Sequence, residues 1–84
     1  MNYHINISYI YPLNIHYDRS PFWVVDQDLH LLLATKKKAF ASAQSAILWL
    51  VKYLYANPQP EDVTHFHIKN GNLDTIAIIR VQEG

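Results

Sequence analysis

The sequence contains no cysteine. That excludes disulfides and thiolate metal ligands, and it suits a reducing compartment such as the cytosol. Glycine is nearly absent too, occurring at Gly71 and Gly84 alone, so no glycine-rich loop can cradle a phosphate. Neither sign of charge is in excess: seven basic and seven acidic side chains cancel over 84 residues. Net neutrality argues against a chain whose main task is to hold a nucleic-acid backbone, and it leaves association unopposed by self-repulsion. No run approaches the roughly 20 apolar residues needed to cross a bilayer. The start, "MNYHINISYI", lacks the basic stretch and apolar run of a secretory signal. These absences point to a cytoplasmic protein with no membrane partner.

What the chain does have is apolar surface. Half of its residues are hydrophobic, which is ordinary for a globular domain and excludes disorder. Residues 1–84 are short enough to form one domain, whose core must be efficient or shared with a partner.

Tyr3, Ile5, Ile7 and Tyr9 alternate with His4, Asn6 and Ser8, a period of two that predicts a strand with one buried face. Pro12 ends it, and residues 13–21 read as a loop. "FWVV" and "LHLLLAT" flank the turn-like Asp26–Asp28 and are predicted to form a hairpin. A helix follows, with Ser42 suited to cap its start and Asn57-Pro58 to end it. "THFHI" and "LDTIAIIRV" surround "KNGN", a second hairpin with Asn70-Gly71 as a type I′ turn. The element order β-ββ-α-ββ predicts an α+β fold: an antiparallel sheet of about four to five strands with one helix packed on one face.

Ala43, Ala46, Ile47, Leu50, Val51 and Leu54 form one helical stripe, the expected core face. The opposite side holds Gln44, Ser45, Leu48, Trp49, Lys52, Tyr55 and Ala56. A solvated face would carry more charge than one lysine. Either the long N-terminal loop or first strand covers these side chains, or they are a contact surface, where Trp and Tyr are enriched. The last strand repeats the hint: Ile76 and Ile78 alternate with Ala77, Ile79 and Val81. A strand apolar on both faces is central and covered twice, or awaits a partner.

Residues that could carry chemistry are scattered. His65 and His67 share one strand face, and His4 and His30 could converge on them, but zinc needs three or four ligands; no metal or other cofactor is expected. Asp26 with Asp28, and Glu61 with Asp62, fall at turn positions where carboxylates are common. Ser20, His16 and Asp18 make a triad on paper only, so no catalytic residue is assigned and an enzyme is not expected. Lys36, Lys37 and Lys38, with Lys52 and Lys69, are the candidates for nucleic acid, although charge balance gives no broad basic surface and a lysine run also keeps a strand edge soluble.

Residues 29–56, a strand, a basic loop and a helix start, resemble part of the double-stranded RNA-binding domain, where lysines near a helix N-terminus grip phosphates. That family has an α-β-β-β-α order with the cluster at its second helix, whereas this chain ends in a hairpin. In build, residues 36–56 against two hairpins look similar to small phage- or mobile-element-encoded inhibitors of bacterial defence, such as anti-CRISPR proteins. The resemblance implies a cysteine-poor, non-catalytic viral protein that occupies a surface of a host complex. Many such inhibitors are acidic DNA mimics; this neutral chain is not. The helix with two hairpins also resembles antitoxin domains, with "AFASAQSA" at the strand-to-helix junction.

The expectation is therefore a non-catalytic protein-binding module, a small inhibitor or adaptor able to dimerise. Leu48, Trp49, Lys52 and Tyr55 would carry binding, and Lys36–Lys38 would orient an acidic partner. The alternatives are an RNA- or DNA-binding domain using the lysine cluster, or an antitoxin-like partner of a toxin.

Overall fold

The structure is a computed structural model and describes residues 3–10, 21–28 and 39–83. Four strands and one helix follow in the order β1 (Tyr3–Tyr9), β2 (Trp23–Asp26), α1 (Ala43–Ala56), β3 (His65–Lys69) and β4 (Thr75–Glu83). The strands make one sheet in the order β1-β4-β3-β2, antiparallel at every pairing. This is the predicted α+β class, with four strands described. "LHLLLAT", the expected second arm of the first hairpin, lies outside the described residues. β2 pairs with β3, and a bridge next to it joins Phe22 and Phe40, which exchange two backbone hydrogen bonds of 2.9 Å.

Helix α1 starts where the sequence says it should. Ser42 is extended, and its Oγ accepts from the Ser45 amide at 3.1 Å, satisfying a donor that has no partner within the first turn. At the other end the Asn57 backbone and side-chain amides both donate to the Tyr53 carbonyl, at 2.8 and 2.9 Å, and Pro58 follows. Ala43, Ala46, Ile47, Leu50 and Leu54 are buried, with Val51 half-buried. They pack on β2 and β3, against Phe22, Val24, Phe66, Ile68, Ile76, Ala77 and Ile79. Alanines at the N-terminal end let the helix approach the sheet closely, and the larger side chains fill the gap further along.

Two local expectations are corrected. The β3–β4 turn is not type I′: the Leu73 amide donates to the Asn70 carbonyl at 2.9 Å, and the left-handed residue is Leu73 (φ 64°) rather than Gly71. Strict alternation in β4 also fails. A register shift opposite Ile68 and Lys69 places Thr75 across from Lys69 and Ala77 across from Ile68, so one extra residue, Ile76, turns inward. Ile76 and Ala77 are both in the core, and Ile78 is half-buried on the other face. β4 is thus a central strand, between β1 and β3.

Because α1 sits over β2 and β3, the core side of β1 lies beyond it. Ile5 still packs against the core, but Ile7 and Tyr9 are 40 % and 47 % exposed.

Candidate binding surfaces

Two surfaces emerge, one on each side of the molecule. On α1, Leu48, Lys52 and Tyr55 stand at i, i+4 and i+7, which sets them on one outward stripe. Leu48 is 55 % exposed and Tyr55 58 %, with exposed Lys52 between them. Trp49, grouped with them by sequence, is placed differently. It is half-buried on the flank, stacked on Tyr53 at 5.0 Å and tilted against Phe40 at 5.9 Å. The stack stiffens one edge of the stripe, since offset aromatic pairs add about 0.5–1.5 kcal/mol beyond their buried area. Helical wheel reasoning grouped these residues correctly by side but could not separate flank from crest, because the neighbour that claims Trp49 is Phe40, outside the helix.

The sheet face turned away from α1 has a different chemistry. Register fixes its occupants: His4, Asn6 and Ser8 on β1, Ile78, Arg80 and Gln82 on β4, His65, His67 and Lys69 on β3, Trp23 and Val25 on β2. Arg80 sits between Asn6 and His65 in one cross-strand row, and its Nη1 donates to Ser8 Oγ at 3.4 Å. Lys69 Nζ donates to Thr75 Oγ1. The His65 and His67 rings meet edge to face at 5.1 Å, and Thr64 Oγ1 lies 2.8 Å from His65 Nδ1. His67 is held below the usual histidine range, first by burial and then by the positive fields of His65, Lys69 and Arg80. Its Nδ1 is shielded from solvent with no hydrogen-bond partner among the described residues, so a proton there would be a buried donor without an acceptor among them. Val25 is buried and His67 half-buried, whereas His4, Asn6, Arg80 and Gln82 are exposed, so the face is accessible on its β1–β4 side.

No acidic residue occupies a register position on this face. Asp26 lies on the helix side of β2, Asp28, Glu61 and Asp62 are in turns, and Asp74 is in the β3–β4 connection. Among the described residues, this face carries Arg80 and Lys69 and no carboxylate at a register position.

The remaining candidates resolve into structural roles or fall outside the described residues. Asp26 Oδ1 accepts from the Asp28 amide at 2.8 Å, the local turn its residue type favours. Asp62 offers its backbone carbonyl to Gln27 Nε2 at 3.0 Å, while Gln27 Oε1 accepts from the Thr64 amide at 2.8 Å. Gln27 thereby clamps the connector after α1 to the end of β2, a role with no signal in the sequence. No group of three or more metal-ligating side chains forms among the described residues. Lys36, Lys37 and Lys38, together with His16, Asp18, Ser20 and His30, lie outside them. A shallow cleft is lined by Gln59, Pro60, Glu61, Val63, Thr64, Val81 and Gln82.

Among the described residues, no helix is long and apolar enough to cross a membrane. The sequence matches no protein-family model, and neither a curated protein nor a solved structure matches the chain.

Proposed function

We propose that this protein is a non-catalytic protein-binding module, a small inhibitor or adaptor that works by covering part of a larger cytoplasmic complex, with a host defence complex the kind of target its build fits. The observation that supports the reading is the outward stripe of α1, where Leu48 and Tyr55 keep more than half of their surface exposed on either side of Lys52. Burying the remaining surface of the two side chains contributes about 2 kcal/mol, roughly thirtyfold in Kd. Lys52 between them favours a target with a carboxylate opposite, which sets orientation more than affinity. The helix is a rigid mount, capped at both ends and anchored by its opposite face, so little ordering free energy is lost on binding.

The test is site-specific photo-crosslinking in cells that carry the native gene. A photo-reactive amino acid replaces Lys52 in one variant and Glu61, off the stripe, in another. The expected result is one dominant adduct from position 52 that Leu48→Asp with Tyr55→Ser abolishes while the circular dichroism spectrum stays unchanged. An adduct with a second copy of this chain would define the module as a homodimer. Equal adducts from both positions, or none, would end the proposal.

A further inference from the structure

We infer that the sheet face opposite the helix binds single-stranded nucleic acid, with Arg80 at its centre. This goes beyond the helix-mediated reading and uses none of its residues.

The first support is charge complementarity. Arg80 is exposed and, among the described residues, makes a single long bond of 3.4 Å to Ser8 and shares its face with no carboxylate at a register position. Lys69 lies on the same face of β3, four residues beyond His65. Arg80, with no acid among the described residues of its face, is arranged to meet an anion from outside. Its guanidinium presents a planar fork of donors that fits a phosphate bidentately.

The second support is the kind of side chain around it. His65 lies beside Arg80 on β3, braced edge-on by His67, and exposed His4 lies across β4 on β1. Imidazole rings are flat groups on which unpaired bases stack, in a sequence-tolerant contact of about 1–3 kcal/mol per base. Asn6 and Gln82, exposed on either strand beside His4, offer amides that can both donate to and accept from base edges. Successive same-face positions along a strand recur every ~6.7 Å, so Gln82 and Arg80 on β4, with His4 and Asn6 opposite them on β1, form an exposed ladder that an extended polynucleotide can follow.

The third support separates this occupant from an acidic protein. The large exposed hydrophobic side chains, Ile7, Tyr9, Ile10, Leu48, Tyr55 and Leu73, hold no register position on this face. A protein partner needs such anchors at the centre of its footprint. A duplex fits less well than a single strand, because a flat sheet face cannot enter a groove but can hold splayed bases.

The experiment is fluorescence anisotropy of the full chain with labelled single-stranded RNA and DNA of about twelve nucleotides, a length within known site sizes. The expected log–log salt slope is about −2, from roughly three phosphates. Arg80→Gln is expected to weaken binding about tenfold, in line with loss of one charge-assisted contact, with its urea unfolding midpoint unchanged. His65→Ala should lower affinity for every base sequence alike. Replacing Lys36, Lys37 and Lys38 together by Gln should leave affinity within about twofold and the salt slope unchanged. Four results would each overturn the assignment: no binding at low salt; tighter binding of duplex; displacement by poly-glutamate at equal charge, which would mark an acidic-peptide site; or loss with the lysine variant but not with Arg80→Gln.

Discussion

Replacing Asn70 by alanine probes what holds the β3–β4 connection. Asn70 is fully buried, and its Oδ1 accepts from the amides of Asn72 and Asp74, both at 3.0 Å. Its backbone N–H donates to the Asp74 carbonyl at 3.0 Å and its carbonyl accepts from Leu73. Alanine keeps the backbone pair and deletes both side-chain acceptances. At about 1 kcal/mol net for each bond, the loss is about 2 kcal/mol. Asn72 and Asp74 are exposed, so their freed amides reach water and escape the larger penalty of a buried orphan donor. For a domain of this size, 2 kcal/mol lowers Tm by roughly 8–16 °C. The companion substitution is Leu73→Gly. Leu73 is 70 % exposed and left-handed at φ 64°, a conformation that costs a side-chain-bearing residue about 1–2 kcal/mol. Glycine relieves that but adds about 0.5–1 kcal/mol of backbone entropy to the unfolded chain, leaving a gain of about 0.5–1 kcal/mol. Urea unfolding followed by the fluorescence of Trp23 and Trp49 measures both. A shift below about 0.5 kcal/mol for Asn70→Ala, the level of an ordinary surface change, or destabilisation by Leu73→Gly, would refute this account of the turn.

Leu50→Ala removes a fully buried side chain between α1 and the sheet; a loss of about 2–5 kcal/mol in calorimetry is expected. Ser42→Ala deletes the N-cap acceptor and should cost about 1 kcal/mol by urea titration, with Ser42→Asp recovering most of it. The depressed His67 pKa makes folding sensitive to acid. A folded-state pKa below the unfolded value means that the unfolded chain binds more protons near pH 6, so stability is full above about 6.5 and falls as pH drops through that value toward the folded pKa. The His67→Asn variant should show a flatter midpoint-versus-pH profile over that window; an unchanged slope would count against the burial and neighbouring charges as its cause.

The parts of the fold that were legible in the sequence are those encoded locally. Alternation in "YHINISY", the Ser42 cap and the Asn57-Pro58 stop each act over a few residues, and each appears where local chemistry placed it. The β3–β4 turn was legible as a turn but not in its type, because "KNGN" satisfies a type I′ pattern, while the bulge and the Asn70 side chain select a longer connection with Leu73 left-handed. What no local pattern carries is strand order. The placement of β4 in the middle decides which residues share the face around Arg80, and that grouping joins His4, His65 and Gln82 from three strands. Net charge carries no such information either, since a sum over the chain is blind to which side of a sheet each residue takes.

The pairing of β1 with β4 also has a consequence in time. Ser8 and Arg80 are separated by 72 positions in the chain, so on the ribosome β1 emerges long before its partner. At about 5–20 residues per second, the gap is roughly 4–14 s of translation. Throughout it, Ile5, Ile7 and Tyr9 are presented on a seven-residue strand that contains no lysine, no carboxylate and no proline, none of the devices that usually discourage strands from pairing with strangers. At each round of synthesis, the nascent protein relies on speed, or on whatever escorts nascent chains, to keep its first strand for its last.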